Sequence, residues 1–310
     1  MTKSKNSSII IVPYANDDNM RTGVNIKQQN RLEVYLKNCC VALISTKRHN
    51  KDSDVALVTN IEIPIKYKTF LEENDILIIK VPFSSFRFPD DYKWGLAFYK
   101  LCALKHLVDN FNYEYLAYLD ADVYVQSTFK SIWEECKQNI LLYDINHGLR
   151  VENFVKFLKD AKKFTKNDNI ITHYGGEFFA ASYKNAEEFV SECYCVYKKM
   201  LDEKFHTHFG DEFIVSIVAN RLRNKIRNAG SYIFRFWTGS FRLISTAYKF
   251  NPIIIIHTPD EKDKGIIKIY NHLVKNKQFP SSEKVYRILH LKRKSIKTIT
   301  CEIINTFIKR

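Results

Sequence analysis

Asp120 and Asp122 stand two residues apart between apolar runs, in the stretch Tyr115-Leu116-Ala117-Tyr118-Leu119-Asp120-Ala121-Asp122-Val123-Tyr124-Val125. The run through Leu119 reads as a buried strand, and side chains two apart on an extended backbone point to the same side. The two carboxylates then converge where the strand leaves its sheet. Bare, they would repel each other and resist burial. A divalent cation that bridges to phosphate oxygens removes that problem, because hard cations take oxygen ligands. A solvated turn carrying two acids is the alternative, and the strand on both sides weighs against it.

Other residues add to this pair. His257 follows an apolar run over 253–256, so it sits at a strand end, where open α/β sheets bind ligands. Neutral imidazole suits borderline metals such as Mn2+, and a capping histidine is the plainer reading. Lys262, Lys264 and Gly265 follow; they read either as a flexible lid over a diphosphate or as a solvated charged turn. Gly175-Gly176 before an apolar run lets backbone approach a ligand closely, or makes a tight turn or bulge. Glu177 beside it is either a ligand for a sugar hydroxyl or a surface acid. Asp211-Glu212 opens a helix, where acids often serve only as caps and dipole partners. Lys100 lies on an apolar helix face, where a snorkelling surface lysine is common.

These residues need a scaffold, and the periodicity supplies one. Strands are predicted over 8–14 (closed by Pro13), 54–59, 75–81 and 115–119, then 140–143, 232–237 and 252–256. Helices are predicted with Ile26, Leu32, Val34, Leu36, Val41, Leu43 and Ile44 on one face, and over 94–108, 129–136, 151–164, 185–200 and 211–222. Strands alternating with helices predict a mostly parallel α/β sheet. Residues 1–7 read as a polar tail. From about residue 281 the chain turns basic, and Ile296, Ile299, Ile303 and Phe307 recur at helical spacing. Residues 283–310 read either as a basic amphipathic helix on an anionic membrane surface or as a helix packed on the domain.

With 310 residues and 45% hydrophobic content, the chain can bury a large core and is not disordered. A net charge of +14 points to an anionic partner, though a general richness in Lys contributes to it. Cys39, Cys40, Cys102, Cys136, Cys193, Cys195 and Cys301 are odd in number and form no Cys-x-x-Cys, which argues for free thiols in a reducing compartment. The first apolar run is too short for a signal-peptide core, and no stretch approaches the roughly 18 apolar residues of a spanning helix.

Taken in order, the motifs resemble the GT-A class of nucleotide-sugar glycosyltransferases over roughly residues 8–270. Tyr118-Leu119-Asp120-Ala121-Asp122 matches that class's Asp-x-Asp metal signature. Ile9-Ile10-Ile11-Val12-Pro13-Tyr14 resembles its first strand, whose exit loop (here Pro13, Tyr14, Ala15) lies against base and ribose. Phe98-Tyr99-Lys100-Leu101 lies where the class often places a cation near the base or diphosphate. His173-Tyr174-Gly175-Gly176-Glu177-Phe178 is similar to the sugar-pocket segment of the retaining ABO-type transferases. His208-Phe209-Gly210-Asp211-Glu212 is similar to their His-Asp-Glu segment. That likeness implies a catalytic role for Glu212 and a sugar-binding one for Asp211. Here Gly210 replaces the more typical residue. His257-Thr258-Pro259-Asp260-Glu261-Lys262-Asp263-Lys264-Gly265 resembles the loop that supplies a third metal ligand in glycogenin-like enzymes.

The resemblance implies a single GT-A (Rossmann-like) domain over 8–280 with a basic C-terminal extension over 281–310. It implies Mn2+ or Mg2+ held by Asp120, Asp122 and His257, and nucleotide-sugar contacts from Pro13, Tyr14, Ala15, Lys100, Ala121, Gly175, Gly176, Glu177, Lys262, Lys264 and Gly265. The expected donor is a nucleotide-diphosphate sugar, above all a UDP-sugar. The expected acceptor is a glycan or lipid-linked glycan of surface polysaccharide or lipopolysaccharide assembly. The expected location is cytoplasmic, peripheral on the inner face of the cell membrane. Two other classes compete. A sugar nucleotidyltransferase would carry a Gly-rich basic loop after the first strand, where only Gly23 occurs. A non-catalytic membrane- or nucleic-acid-binding protein fits the charge, but no nucleic-acid module appears and nucleic acid is not expected as a partner.

Overall fold

A computed structural model describes residues 7–17, 31–90, 92, 94–239, 252–291, 300 and 304. The predicted helix start at Ile26, most of the loop after Ala15, all the basic positions beyond residue 291 and Ile296, Ile299, Ile303 and Phe307 lie outside the described residues.

The first half alternates strands and helices: β1 (Ser8–Tyr14), α1 (Arg31–His49), β2 (Ser53–Thr59), α2 (Ile65–Glu72), β3 (Leu77–Lys80), α3 (Tyr99–Asn110) and β4 (Tyr115–Leu119). β1 pairs in parallel with β2 on one side and β4 on the other, and β2 pairs in parallel with β3. Ile9, Ile10, Ile11 and Val12 of β1 are all essentially inaccessible, as expected of a parallel strand covered on both faces. Ile9 and Ile11 face one core cluster with α3, while Ile10 and Val12 face the other with α1. Each such side chain contributes about 1.5–3 kcal/mol on burial.

The chain then continues through β5 (Val123–Val125), α4 (Lys130–Cys136), β6 (Ile140–Asp144), α5 (Glu152–Thr165), β7 (Tyr174–Ser182), α6 (Tyr183–Asp202), α7 (Asp211–Arg221), β8 (Ile226–Asn228), β9 (Ile233–Arg235) and β10 (Ile255–His257). The main sheet runs β3-β2-β1-β4-β7-β6-β8. β7 is antiparallel to both its neighbours, and the remaining pairs are parallel. β5, β10 and β9 form a second, three-stranded sheet. The fold is thus α/β around a mostly parallel sheet, as the periodicity predicts.

Two features place the site. The strand order reverses between β1 and β4, since β2 and β3 lie to one side of β1 and β4 to the other. Crevices at the carboxyl ends of strands flanking such a switch point are where open α/β sheets bind ligands. In addition, β4 and β5 belong to different sheets, so residues 120–122 form the corner where the chain changes sheet.

Helix Gly265–Asn276, which the periodicity did not single out, packs on α1. Helix Ser282–Ile288 lies within the predicted extension, but it is not detached. Val285 and Leu289 are fully buried in the same cluster as α1. The described cysteines are free, and five of the six are buried. Among the described residues no helix is long and apolar enough to cross a membrane.

Candidate active site

A cleft opens at the switch point. Pro13, Tyr14, Ala15 and Asn16 form its wall at the end of β1, Arg31 and Tyr35 come from α1, Trp94, Leu96 and Ala97 from the short turn of helix before α3, and Tyr99 and Lys100 from the start of α3. The sheet-changing corner, residues 120–122, and Lys262 complete it. Tyr14 stacks on Tyr35 with ring centroids 5.5 Å apart. The loop after β1 is pinned by a reciprocal pair: the Asn16 N–H donates to Asn60 Oδ1 (3.0 Å) and Asn60 Nδ2 donates to the Asn16 carbonyl (2.9 Å).

Asp120, Asp122 and His257 each offer a ligand atom, and these atoms lie within 4.8 Å of one another. The convergence differs in origin from the sequence argument. Residues 120–122 are a turn, not a continuing strand, so the two-residue alternation of a strand does not apply. His257 is brought in by register: it lies opposite Val123 in the antiparallel β5–β10 pair, and the Thr258 N–H donates to the Asp122 carbonyl (3.1 Å). His257 Nε2 lies 3.1 Å from Asp122 Oδ2, and Nδ1 lies 3.4 Å from Glu177 Oε1. Burial alone would lower the His257 pKa, but the carboxylates of Asp122 and Glu177 outweigh it and raise it to about 9. Burial would raise Asp122; Lys262 and His257 overcome this and hold it far below the usual carboxylate range. Two carboxylates and one imidazole are a suitable donor set for Mn2+ or Mg2+, and Asp120 is open to the cleft.

Lys100 is locked between two acids, 3.2 Å from Asp120 Oδ1 and 3.0 Å from Asp211 Oδ2. It is no snorkelling surface lysine: burial would lower its pKa, yet the two aspartates hold it well above the ordinary value. Asp211 is raised to about 6, first by burial, with Glu212 and Asp120 adding to the effect and Lys100 opposing it. A Cβ on Gly176 would collide with Asp211 Oδ2 and sit 2.8 Å from Lys100 Nζ. Gly210, which caps α7, has φ +56°, and a Cβ there would lie 3.0 Å from the Trp94 Cβ.

Glu177 is buried and takes both arms of Arg235, at 2.7 Å each. Burial would raise its pKa, and Arg235 with His257 lowers it to about 2. Arg235 Nη2 also lies 3.6 Å from Glu212 Oε1, while the other Glu212 oxygen is 3.1 Å from His173 Nε2. His173 is stacked on Phe157 with centroids 4.1 Å apart. A Cβ on Gly175 would collide with Glu177 Oε2 and lie 2.9 Å from Arg235 Nη2. The glycine pair therefore admits charged side chains of the protein against the backbone of β7. Arg235 is marked in the sequence by one signal, a lone cation inside the apolar run Ile233-Phe234-Arg235-Phe236-Trp237, and that names no role for it.

Lys262 lies in the cleft, with its ammonium 3.2 Å from Asp122 Oδ2. Lys264 is exposed and does not line the cleft. Gly265 is not a free lid: it starts a helix, its N–H donates to Glu261 Oε2 (3.1 Å), and a Cβ there would lie 2.9 Å from the Ile288 carbonyl. Of the residues selected from sequence, Lys264 and Gly265 thus stand apart, and the others line the cleft or join its network of charges.

No family model and no curated protein matches the chain. Solved structures do. WbbM, a bifunctional glycosyltransferase in its apo form, superposes with a TM-score of 0.57 at 12% identity over 92% of this chain. The match spans about half of WbbM, 52% of its length. The galactosyltransferase LgtC, in complex with donor and acceptor sugar analogues, gives 0.56 at 14% identity, covering 91% of this chain and 99% of LgtC. The apo form of mouse xyloside xylosyltransferase 1 gives 0.52 at 12% identity, covering 81% and 96%. The fold is the α/β fold of GT-A glycosyltransferases. At these identities the likeness is one of architecture.

Proposed function

We propose that this chain is a metal-dependent glycosyltransferase that moves a sugar from a nucleoside-diphosphate donor, a UDP-sugar, to a glycan or lipid-linked acceptor. The observation that carries the reading is the convergence of Asp120, Asp122 and His257 at the corner beside the β1–β4 cleft. A divalent cation held there would supply positive charge to the departing diphosphate. Lys262, facing the same cleft, adds a second cation for phosphate. Tyr14 and Tyr35 give the base an aromatic wall.

Glu212 is assigned to the reacting sugar. Its side chain is 27% exposed, and His173 and Arg235 fix its two oxygens. A carboxylate so held stabilises positive charge at an anomeric carbon or takes a proton from an acceptor hydroxyl. Asp211 is engaged by Lys100 and acts by orienting it. The broader setting follows the same reading: surface-glycan assembly on the cytoplasmic side of a membrane, with the basic residues of 283–310 as a lipid-facing segment. Unchanged liposome binding after deletion of 283–310 would count against that segment.

The central test is a UDP titration with and without Mn2+, on the wild type and Asp122→Ala. Binding that requires Mn2+ and is lost in the variant is expected. Binding indifferent to both metal and substitution, or no binding, would sink the reading. A screen of UDP-sugars for slow hydrolysis then names the donor.

A further inference from the structure

Each metal-facing aspartate is paired with its own lysine, and the two lysines are held differently. Lys100 is wedged between Asp120 and Asp211, close against the bare backbone of Gly176. Among the described residues Lys262 reaches one acid within ion-pair distance, Asp122, and its side chain is 23% exposed along the cleft. Its backbone is fixed. The Lys262 carbonyl accepts from Asn38 Nδ2 (2.9 Å), and the preceding Glu261 is held by Thr238 Oγ1 (2.6 Å), the Gly265 N–H (3.1 Å) and His290 Nδ1 (2.9 Å). Only the Lys262 side chain is left to swing, and the cleft is where it can go.

We infer that Lys262 is an internal counter-ion that shields Asp122 from free divalent cations, so that metal and diphosphate enter the site as partners. This rests on the metal–nucleotide reading above. Asp122 Oδ2 already faces two positively polarised groups, Lys262 Nζ at 3.2 Å and His257 Nε2 at 3.1 Å. A cation arriving alone must displace the ammonium and is repelled by it at close range, in a site shielded from solvent. A diphosphate in the cleft offers the ammonium a new anionic partner and clears the carboxylate for the metal. Each ligand then strengthens the other by the same factor. Lys100, enclosed between two acids, has no such freedom and stays as a fixed charge.

The test is Mn2+ titration of the metal-free full chain, followed by the EPR signal of unbound Mn2+, with and without UDP. The proteins are wild type, Lys262→Met, Lys262→Gln and Lys262→Arg. The wild type is expected to bind Mn2+ at least about tenfold tighter when UDP is present. Lys262→Met and Lys262→Gln are expected to bind Mn2+ without UDP at least about tenfold tighter than the wild type and to gain less from UDP. Lys262→Arg keeps the cation and should follow the wild type. A wild type indifferent to UDP, or neutral variants that bind free Mn2+ no tighter than it does, overturns the inference while leaving the metal site standing. Absence of Mn2+ binding by every protein, with UDP or without, overturns the metal reading itself.

Discussion

Gly176→Ala separates the charged-network account of β7 from ordinary strand chemistry. In a strand interior, alanine in place of glycine usually stabilises by roughly 0.5–1 kcal/mol, because glycine loses more conformational freedom on folding. Here the added methyl would overlap Asp211 Oδ2 and press on Lys100 Nζ at 2.8 Å, and both groups are enclosed by other elements. Overpacking of this kind costs about 1–3 kcal/mol, and breaking a buried ion pair costs about 3–5 kcal/mol when one partner is stranded. A partial displacement of the Lys100–Asp211 pair therefore predicts a loss of about 2–4 kcal/mol, opposite in sign to the strand expectation. Urea unfolding, with the midpoint and slope fitted together, measures it; a melting point lower by roughly 3–6 °C should accompany it. Gly148→Ala is the control, since the nearest atom to a Cβ there is 3.9 Å away, and it should stay within about 0.5 kcal/mol of the wild type. A Gly176→Ala protein as stable as the wild type, or more stable, refutes the idea that β7 is glycine-rich to admit the pair.

Three further outcomes are expected. His257, held at about 9 against an ordinary 6.5, favours the folded state when protonated. That stability, about 3 kcal/mol, is complete below pH 6.5 and fades as pH rises through 9. Melting in EDTA across pH 6–10 checks it, and a His257→Gln protein should lack the decline. Glu177→Ala and Arg235→Ala should each destabilise strongly, yet the double variant should lose less than the two combined by at least about 1.5 kcal/mol, as a double-mutant cycle of unfolding free energies would show. Glu212→Gln should keep Mn2+-dependent UDP binding and lose about 100-fold or more in turnover of the donor, once that donor is in hand.

The scaffold was legible because its signals are local. Continuous apolar runs such as 9–12 and 116–119 mark strands covered on both faces, and α3 turns Leu101, Leu104, Leu107 and Val108 inward. What escaped was set by pairing between distant segments. The β5–β10 register that brings His257 beside Asp122 links residues more than 130 positions apart, and nothing in either segment specifies it. Arg235 reaches Glu177 across the two sheets, from the strand predicted over 232–237, and nothing in that segment names its partner. Gly265 misled for a different reason. Its neighbours Lys262, Asp263 and Lys264 suggested a mobile charged turn, whereas tight packing against helix Ser282–Ile288 is what a glycine permits there.

The arrangement of charge argues for a working site more strongly than any single residue does. Lys100 ties α3 to the β4 corner and to α7, Arg235 ties β9 to β7 and reaches α7, and His257 ties β10 to the corner and to β7. Buried ion pairs are poor stabilisers, because the desolvation of both partners offsets most of their attraction; well-packed apolar residues would serve the fold as well or better. A fold that buries Asp122, Glu177, Asp211 and His257 together, at one end of an otherwise apolar core, accepts that cost at a single place. That place is the strand-order switch, where the topology leaves a crevice whatever the side chains are. Strongly shifted ionisable groups gathered in a crevice make a candidate for chemistry or ligand binding. The sheet-changing corner at 120–122 lies where the cleft meets the buried network, so a ligand held there acts on β4, β5 and β10 together.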